Sequence, residues 1–187
     1  MKLYIIRHGE SETNREKCWT GWLDAPLTDK GKADAERAGK IIGGVSFDKV
    51  YASDLMRACQ TAEIALGGRE YEKDVLLREV NLGSIGGKKI DTYSAEERKA
   101  FWKNGYASYG GETNEQFRDR IAEFFKKAES FEYENVAVFS HSGWLRGALA
   151  FVLESPLAKE RVICNNCAIG VFEYKNGVWK LYSWINI

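Results

Sequence analysis

Short apolar runs alternate with longer amphipathic stretches along the whole chain, and this alternation constrains the fold more than any other feature. An apolar run at residues 3–6 is long enough for one buried strand, and a similar run lies at 136–139. Strands that alternate with helices usually pair in parallel, and the helices cover both faces of their sheet. The sequence therefore predicts an α/β fold, a three-layer sandwich with a mostly parallel central sheet.

Capping residues and glycine stops place the helices between these runs. Thr28 is a good N-cap and Gly43 a good stop, which predicts a helix over residues 29–42. Ser53 is the expected N-cap of the next helix, and the other predicted elements are helices at 54–66, 94–103 and 114–130 and strands at 47–51 and 74–77. The tripeptide Lys175-Asn176-Gly177 is a hairpin signal, so two closing strands are expected to add an antiparallel edge.

The length and charge of the chain limit its partners. Its 187 residues fit one domain spanning 1–187. Its net charge is zero, so bulk electrostatics gives no reason to expect binding to nucleic acid or to an anionic membrane. No apolar stretch approaches the roughly 20 residues of a membrane helix, and a first strand starting at Lys2 leaves no room for a signal peptide. We expect a cytoplasmic protein with a small-molecule partner; whether it forms a homodimer stays open.

The cysteines do not form a complete metal motif. Cys164 and Cys167 have the spacing of half a zinc site, but no second pair and no nearby histidine completes it. They precede an apolar stretch typical of a strand, so we expect them to be buried as small hydrophobic residues. The sequence predicts neither a bound metal nor a cofactor.

The only two histidines of the chain occupy equivalent positions. His8 and His141 each follow the carboxyl end of an apolar run, and a glycine comes shortly after each. A single histidine is more often a structural residue, but open α/β sheets bind ligands at the carboxyl ends of their strands. Two histidines at such positions favour one shared site.

Two arginines and a glutamate occupy related positions. Arg7 directly precedes His8, and Arg57 lies on the first turn of a predicted helix, where backbone N–H groups and the helix dipole favour an anion. A guanidinium matches the geometry of phosphate oxygens, so the arginines and the two histidines together predict a phosphate clamp. Glu79 follows a predicted strand; from spacing alone it is either an exposed acid or a proton donor.

Motifs in a fixed order extend this group of residues over nearly the full chain. The first is Arg7-His8-Gly9-Glu10-Ser11 with Asn14. The others are Thr20-Gly21-Trp22, Asp24, Pro26-Leu27-Thr28, Gly31, Ser53-Asp54-Leu55, Arg57-Ala58, Thr61-Ala62, Arg78-Glu79, Gly83, Gly110-Gly111-Glu112-Thr113 and His141-Ser142-Gly143. Together they resemble the histidine phosphatases, the superfamily that includes the cofactor-dependent phosphoglycerate mutases, and in particular its small phosphatase branch.

The resemblance implies a role for each of these residues. His8 would attack phosphorus and form a phosphohistidine, which splits one difficult displacement into two easier ones. Arg7, Arg57 and His141 would bind the phosphoryl oxygens and stabilise their charge. Glu79 would protonate the leaving alkoxide and then help water attack the phosphoenzyme. No metal is implied, and the positions expected near the phosphate or the substrate are Asn14, Thr20, Gly21 and Ser142.

The segment after the expected acid departs from the family pattern. Many small phosphatases of the family have Trp-Glu-Gly after the acid's glycine, whereas this chain has Gly83-Ser84-Ile85-Gly86-Gly87. No catalytic group is lost, but the wall on the substrate side differs. If Glu79 were misplaced, Asp91 or Glu10 would be the alternative proton donors.

Two features favour a phosphomonoester hydrolase over a mutase. The segment between Glu79 and His141 is shorter than in mutases of the family, and it shows no basic cluster suited to a second acidic group. If its aromatic residues face the cleft, the leaving group is bulky and partly apolar; they are Phe101, Trp102, Tyr106 and Tyr109. The alternatives are a phosphoglycerate mutase and a bisphosphate- or α-ribazole-phosphate-specific phosphatase. A non-catalytic phosphate-recognition module would be expected to lack one of the catalytic residues, and none is lost.

Overall fold

The computed structural model describes all residues, 1–187, and contains a six-stranded sheet between two layers of helices. The strands are β1 (Lys2–Arg7), β2 (Lys49–Ala52), β3 (Glu72–Lys73), β4 (Asn135–Ser140), β5 (Ile169–Lys175) and β6 (Val178–Ile185). The helices are α1 (Glu12–Arg15), α2 (Asp29–Ile42), α3 (Met56–Ala65), α4 (Ala95–Asn104), α5 (Asn114–Ala128) and α6 (Ser142–Val152). None of them has both the length and the apolar character needed to cross a lipid bilayer.

The strand order is β3-β2-β4-β1-β5-β6. Strands β1 to β4 pair in parallel, whereas β5 is antiparallel to both β1 and β6. At the hairpin between β5 and β6, Asn176 and Gly177 have φ angles of 55° and 77°, as a tight two-residue turn requires. The predicted α/β sandwich, with its mostly parallel sheet and antiparallel edge, is confirmed.

Alternate side chains of β1 enter two different cores. Leu3 and Ile5 pack in the core that also contains residues of α5 and α6, whereas Ile6 packs in the core that contains residues of α2 and α3. Burying each such side chain stabilises the fold by about 1.5–3 kcal/mol. A shift of β1 by one residue would exchange the two faces, so this packing fixes the register and with it the position of His8.

The region between β2 and β3 differs from the sequence prediction. Helix α3 begins at Met56, and its N-cap is Leu55, which makes no side-chain cap, rather than Ser53. Residues 74–77 were predicted as a strand, but Val75–Leu77 form a single 3-10 turn and the strand β3 lies just before it. The Asp74 side chain accepts a hydrogen bond from the Leu76 N–H at 2.9 Å, which favours the turn over an extended backbone.

Most other predicted elements are confirmed with small shifts at their ends. Thr28 caps α2 through a 3.0 Å hydrogen bond from the Gly31 N–H, and the helix covers the predicted residues. Helix α5 ends at Ala128, earlier than predicted, and β2 begins at Lys49, later than predicted, although Phe47 before it is buried in the core. All four cysteines are buried free thiols, in agreement with the prediction for Cys164 and Cys167.

Candidate active site

Neighbouring parallel strands bring the two histidines together. In the pairing of β1 with β4, Arg7 lies opposite Ser140, and His8 and His141 are the next residues along each strand. The His8 N–H donates to the Ser140 carbonyl at 2.9 Å. The two imidazole centroids are 5.2 Å apart, and the residues are 4 % and 0 % exposed. The shared site predicted from the sequence is therefore present at the carboxyl edge of the sheet.

The surroundings of His8 leave one ring nitrogen with a free lone pair. Its Nδ1 is 2.6 Å from the Gly9 carbonyl oxygen, and because a carbonyl can only accept, Nδ1 carries the proton. Burial, followed by the positive charges of Arg57 and Arg7, holds the pKa of His8 well below its ordinary value. The ring is therefore neutral near neutral pH, and its Nε2 lone pair accepts a 3.2 Å hydrogen bond from Arg57 Nε.

Arg57 lies in the first turn of α3 and is almost fully buried. Its two terminal nitrogens donate to the carbonyl oxygens of Leu23 at 2.9 Å and Gly21 at 2.8 Å. Burial lowers the pKa of Arg57 to about 10, so the guanidinium stays charged at neutral pH. Arg57 therefore places a positive charge beside His8 and fixes the loop around Gly21, which has a left-handed φ of 53°.

Two further nitrogens of the site are buried without a partner. Arg7 donates from Nη1 to the Cys164 carbonyl at 2.5 Å, but its Nε makes no hydrogen bond. His141 Nε2 lies 2.9 Å from Ser53 Oγ, and its Nδ1 makes no hydrogen bond either. A buried polar group left unsatisfied costs about 1–3 kcal/mol, so these two nitrogens favour a ligand that can bond with them.

The Glu79 carboxylate lies at the amino-terminal end of α6. It accepts hydrogen bonds from the backbone N–H groups of Gly143 at 2.9 Å and Val80 at 3.0 Å. A Cβ atom on residue 143 would come within 2.3 Å of a Glu79 carboxylate oxygen, so any other residue there would displace the Glu79 side chain. Burial lowers the pKa values of Arg7 and Arg57, and the nearby Glu79 raises them. The structure therefore places Glu79 beside the helix that begins directly after His141, and Glu79 follows a turn and not the predicted strand.

This arrangement matches a known family along the whole chain. The sequence profile of the histidine phosphatase superfamily (branch 1) matches residues 3–187. The chain belongs to the histidine phosphatase superfamily.

Named relatives of this histidine phosphatase include phosphoglycerate mutases. It is 30 % identical over 196 residues to a probable phosphoglycerate mutase GpmB of Salmonella choleraesuis, covering 99 % of this chain and 90 % of that protein. It is 34 % identical over 183 residues to a 2,3-bisphosphoglycerate-dependent phosphoglycerate mutase of Azorhizobium caulinodans, covering 90 % and 88 % of the two chains.

Solved structures share the fold over almost their full length. A putative α-ribazole-5′-P phosphatase from Escherichia coli superposes with a TM-score of 0.87 at 26 % identity and covers 100 % of this chain and 97 % of that chain. Bacillus stearothermophilus YhfR superposes with a TM-score of 0.88 at 31 % identity and covers 97 % and 95 %.

The four residues expected near the substrate differ in how they connect to the histidine pair. Asn14 Oδ1 accepts a 3.3 Å hydrogen bond from Asn166, whose amide also donates to the His8 carbonyl at 3.2 Å. Ser142 is the first residue of α6, directly after His141. The Gly21 carbonyl accepts a hydrogen bond from Arg57. The Thr20 hydroxyl bonds instead with the Thr13 hydroxyl at 2.8 Å.

The two alternative proton donors lie outside this group of residues. The Glu10 carboxylate accepts hydrogen bonds from the Thr28 hydroxyl at 2.9 Å and from Lys30 at 3.1 Å. Lys30 and Thr28 lower the pKa of Glu10 against the effect of burial, which disfavours the protonated form. Asp91 is exposed in a short 3-10 turn. The geometry therefore favours Glu79 over both alternatives.

Arg120 and Glu112 hold the backbone around Glu79, and neither role was predicted from the sequence. Arg120, on α5, donates to the carbonyl oxygens of Arg78 at 2.6 Å and of Glu79 at 3.1 Å. It also bonds with both carboxylate oxygens of Glu112, each at 2.9 Å. Glu112 in turn accepts from the Asn81 N–H at 2.7 Å. This network clamps the turn that carries the Glu79 side chain on both of its sides.

Replacing Arg120 with methionine is expected to lower kcat for phosphate esters by about tenfold to a hundredfold, because small displacements of a catalytic group have effects of that order. KM and inhibition by inorganic phosphate should change little, since no hydrogen bond joins Arg120 to the histidines or to Arg7 and Arg57. Steady-state kinetics with and without added guanidinium measure this, and guanidinium should restore part of the rate. The control is Lys126→Met, an exposed position on the same helix. Equal losses of kcat and phosphate affinity, without rescue, would contradict a positioning role.

A cavity of about 490 Å³ lies beside Glu79, between α4, α5, α6 and the segment 156–160; we call it the helical cavity. Val80 and Gly143, whose N–H groups hold the Glu79 carboxylate, both line it. Of the four aromatic residues singled out in the sequence, Trp102 and Tyr106 line the cavity. Phe101 is instead buried in a small separate cluster, and Tyr109 packs against it with ring centroids 5.4 Å apart.

Proposed function

We propose that this histidine phosphatase is a metal-independent, acid-type phosphomonoester hydrolase that acts through a phosphohistidine at His8. The observation that carries the proposal is the neutral His8 ring with its Nε2 lone pair directed at Arg57. A neutral imidazole is a nucleophile, whereas a protonated one is not. The positive charge that phosphoryl transfer requires comes from Arg7 and Arg57.

In the first step, His8 Nε2 forms a bond to phosphorus while the bond from phosphorus to the ester oxygen breaks. Glu79 gives its proton to the leaving oxygen, so the alcohol departs neutral. The unpartnered Nε of Arg7 and Nδ1 of His141 are available for the phosphoryl oxygens, which would satisfy both nitrogens. The Gly9 carbonyl, which accepts from Nδ1 of His8, stabilises the positive ring of the phosphohistidine.

In the second step, water attacks phosphorus and the bond to His8 Nε2 breaks. Glu79, now a carboxylate, takes a proton from the attacking water and is ready to act as an acid again. Inorganic phosphate leaves, and His8 returns to its neutral form. Each step exchanges one oxygen or nitrogen bond at phosphorus, and protons move only through Glu79.

The helical cavity favours hydrolysis of a larger ester over phosphoglycerate mutation. About 490 Å³ lies within the range of sites that take drug-sized ligands, and it is far more than a three-carbon acid fills. Two aromatic side chains, Trp102 and Tyr106, form part of its wall. These features support a bulky, partly apolar leaving group.

Incubation with p-nitrophenyl phosphate in the presence of EDTA tests the proposal. We expect release of phosphate at a rate that EDTA does not change, because the charge at the site comes from side chains. A rate that EDTA abolishes and a divalent metal restores would contradict metal independence. No turnover over a broad pH range would contradict the hydrolase itself.

A panel of phosphorylated metabolites separates the hydrolase from the alternatives that its relatives suggest. It includes α-ribazole phosphate and 3-phosphoglycerate with its bisphosphate cofactor. The hydrolase releases inorganic phosphate, whereas a mutase forms an isomeric phosphoglycerate without net release. Isomer formation faster than phosphate release would overturn the proposal in favour of a mutase.

A further inference from the structure

We propose that the natural substrate is a phosphomonoester whose alcohol part fills the helical cavity and carries an anionic group that binds Arg146. This inference rests on the proposed function, because it concerns the leaving group of the same reaction. It adds a substrate subsite on α6 and the charge of the group that occupies it.

The helical cavity lies next to the backbone groups that hold the proposed acid. Val80 and Gly143 hold the Glu79 carboxylate through their N–H groups and also line the cavity. The charge of Glu79 raises the pKa of Tyr106, another lining residue, in addition to the larger effect of burial. In this proposal, an alcohol whose oxygen receives a proton from Glu79 extends past Val80 and Gly143 into the cavity.

Part of the cavity wall is apolar. Eight of the 18 lining residues are hydrophobic, and they include Trp102, Phe117 and Phe151. A wall of this kind binds an apolar body through burial of surface and gives it few specific contacts. Orientation must then come from the polar groups that the wall contains.

Arg146 lines the cavity one helical turn after Gly143. Its Nε is buried and has no hydrogen-bond partner, and its guanidinium forms no ion pair. Its positive charge contributes to the lowered pKa of Arg7, after the larger effect of burial, so the two side chains lie within electrostatic range. Arg146 is thus a cation at the catalytic end of the cavity without a protein anion to neutralise it.

The other charged residues of the wall give a net positive charge to the cavity. They are Lys103, Arg118, Lys159, Glu154 and Glu160, and none of them forms an ion pair. With Arg146 included, four cations oppose two carboxylates, so helix packing assembles a basic group that the sequence between Glu79 and His141 was not expected to supply. A carboxylate or a second phosphate on the substrate matches this charge, and a guanidinium binds either in bidentate geometry.

The experiment compares 4-nitrophenyl phosphate with 4-carboxyphenyl phosphate, which have nearly the same shape but differ in the charge of one substituent. Because their phenols also differ in acidity, each variant's rate is compared with the parent protein's rate for the same ester. Arg146→Gln is expected to lower kcat/KM for the carboxylate ester about tenfold to a hundredfold, the usual value of a charge-assisted hydrogen bond. The nitro ester should keep its rate within about threefold. Arg161→Gln is the matched control, since Arg161 is exposed, lies outside the cavity and forms no ion pair.

A binding measurement keeps this test separate from the test of the proposed function. In calorimetry, His8→Ala should bind the carboxylate ester more tightly than the nitro ester. The double variant His8→Ala/Arg146→Gln should bind the two esters with equal affinity. If neither ester is hydrolysed but this difference appears, the proposed function fails and the subsite stands.

Two results would overturn the subsite, and a third would overturn its bidentate contact. If both esters are hydrolysed and Arg146→Gln does not change the ratio of their kcat/KM values, the subsite is refuted and the hydrolase stands. An equal loss for both esters would assign Arg146 to the phosphoryl group. If Arg146→Gln does not fold, Arg146→Lys replaces it and should keep part of the preference; a preference unchanged from the parent protein would contradict the bidentate contact.

Discussion

Replacing His8 with alanine is expected to abolish turnover, with a loss in kcat of about 10⁴-fold or more, as for other covalent nucleophiles. The phosphoenzyme cannot form without Nε2, so brief incubation with a radiolabelled substrate should leave no acid-labile label on the protein. The guanidinium of Arg57 stays in place, held by the carbonyls of Gly21 and Leu23, so inorganic phosphate should still bind. Label retention after rapid quenching is the measurement, and phosphate binding by calorimetry checks that the site is intact.

The matched comparison is His141→Ala, because the chain contains only two histidines and the label can lie on no other imidazole. In that variant the label should still form, although slowly, because Nε2 of His8 is unchanged. A label that persists in His8→Ala and disappears in His141→Ala would assign the nucleophile to His141. In that case the lone pair of His8 Nε2 would not be the attacking group.

Replacing Glu79 with glutamine should lower kcat for alkyl phosphates about 10²- to 10⁴-fold, the usual contribution of a general acid. Aryl phosphates with good leaving groups should lose less in the first step, because their oxygen needs no proton. Inhibition by inorganic phosphate should persist or strengthen, since a negative charge near Arg7 and Arg57 is removed. The measurement is the phosphorylation rate for a series of esters with different leaving groups, followed in single turnovers.

Asp91→Asn is the control for Glu79→Gln, because Asp91 was the exposed alternative donor and lies outside the site. It should leave every rate unchanged. If Glu79→Gln also left every rate unchanged, Glu79 would not be the acid. The same would follow if Asp91→Asn lowered the rates for esters with poor leaving groups more than for those with good ones. Loss of phosphate inhibition in Glu79→Gln would indicate instead that the substitution disturbs Arg7 or Arg57.

The sequence could predict the elements that are specified by local chemistry. Helix α2 has a capping threonine at its start and glycines at its end, and its predicted bounds agree with the structure. The turn at Val75–Leu77 was mistaken for a strand because its residues are apolar, although Asp74 caps it through its side chain. Ser53 does not cap α3, because the helix begins at Met56 and the Ser53 hydroxyl bonds with His141 far along the chain.

The histidine pair was predictable because both residues carry the same local signature, an apolar strand followed by a small-residue turn. Arg120 was not, because an arginine that donates to main-chain carbonyls leaves no pattern in sequence. Glu112 carried a weak signal, its place after two glycines in a motif of the family. The helical cavity and the free Nε of Arg146 depend on how three helices pack, which spacing along one chain does not specify.

The central place of β1 in the sheet has a consequence for how the protein folds. This strand pairs with β4, where Lys2 lies opposite Asn135, and with β5, where Lys2 lies opposite Glu173. Contacts between such distant segments form slowly because long loops must close first. The surroundings of His8 therefore form late in folding, and the chain acquires its nucleophile only when the central strands have paired.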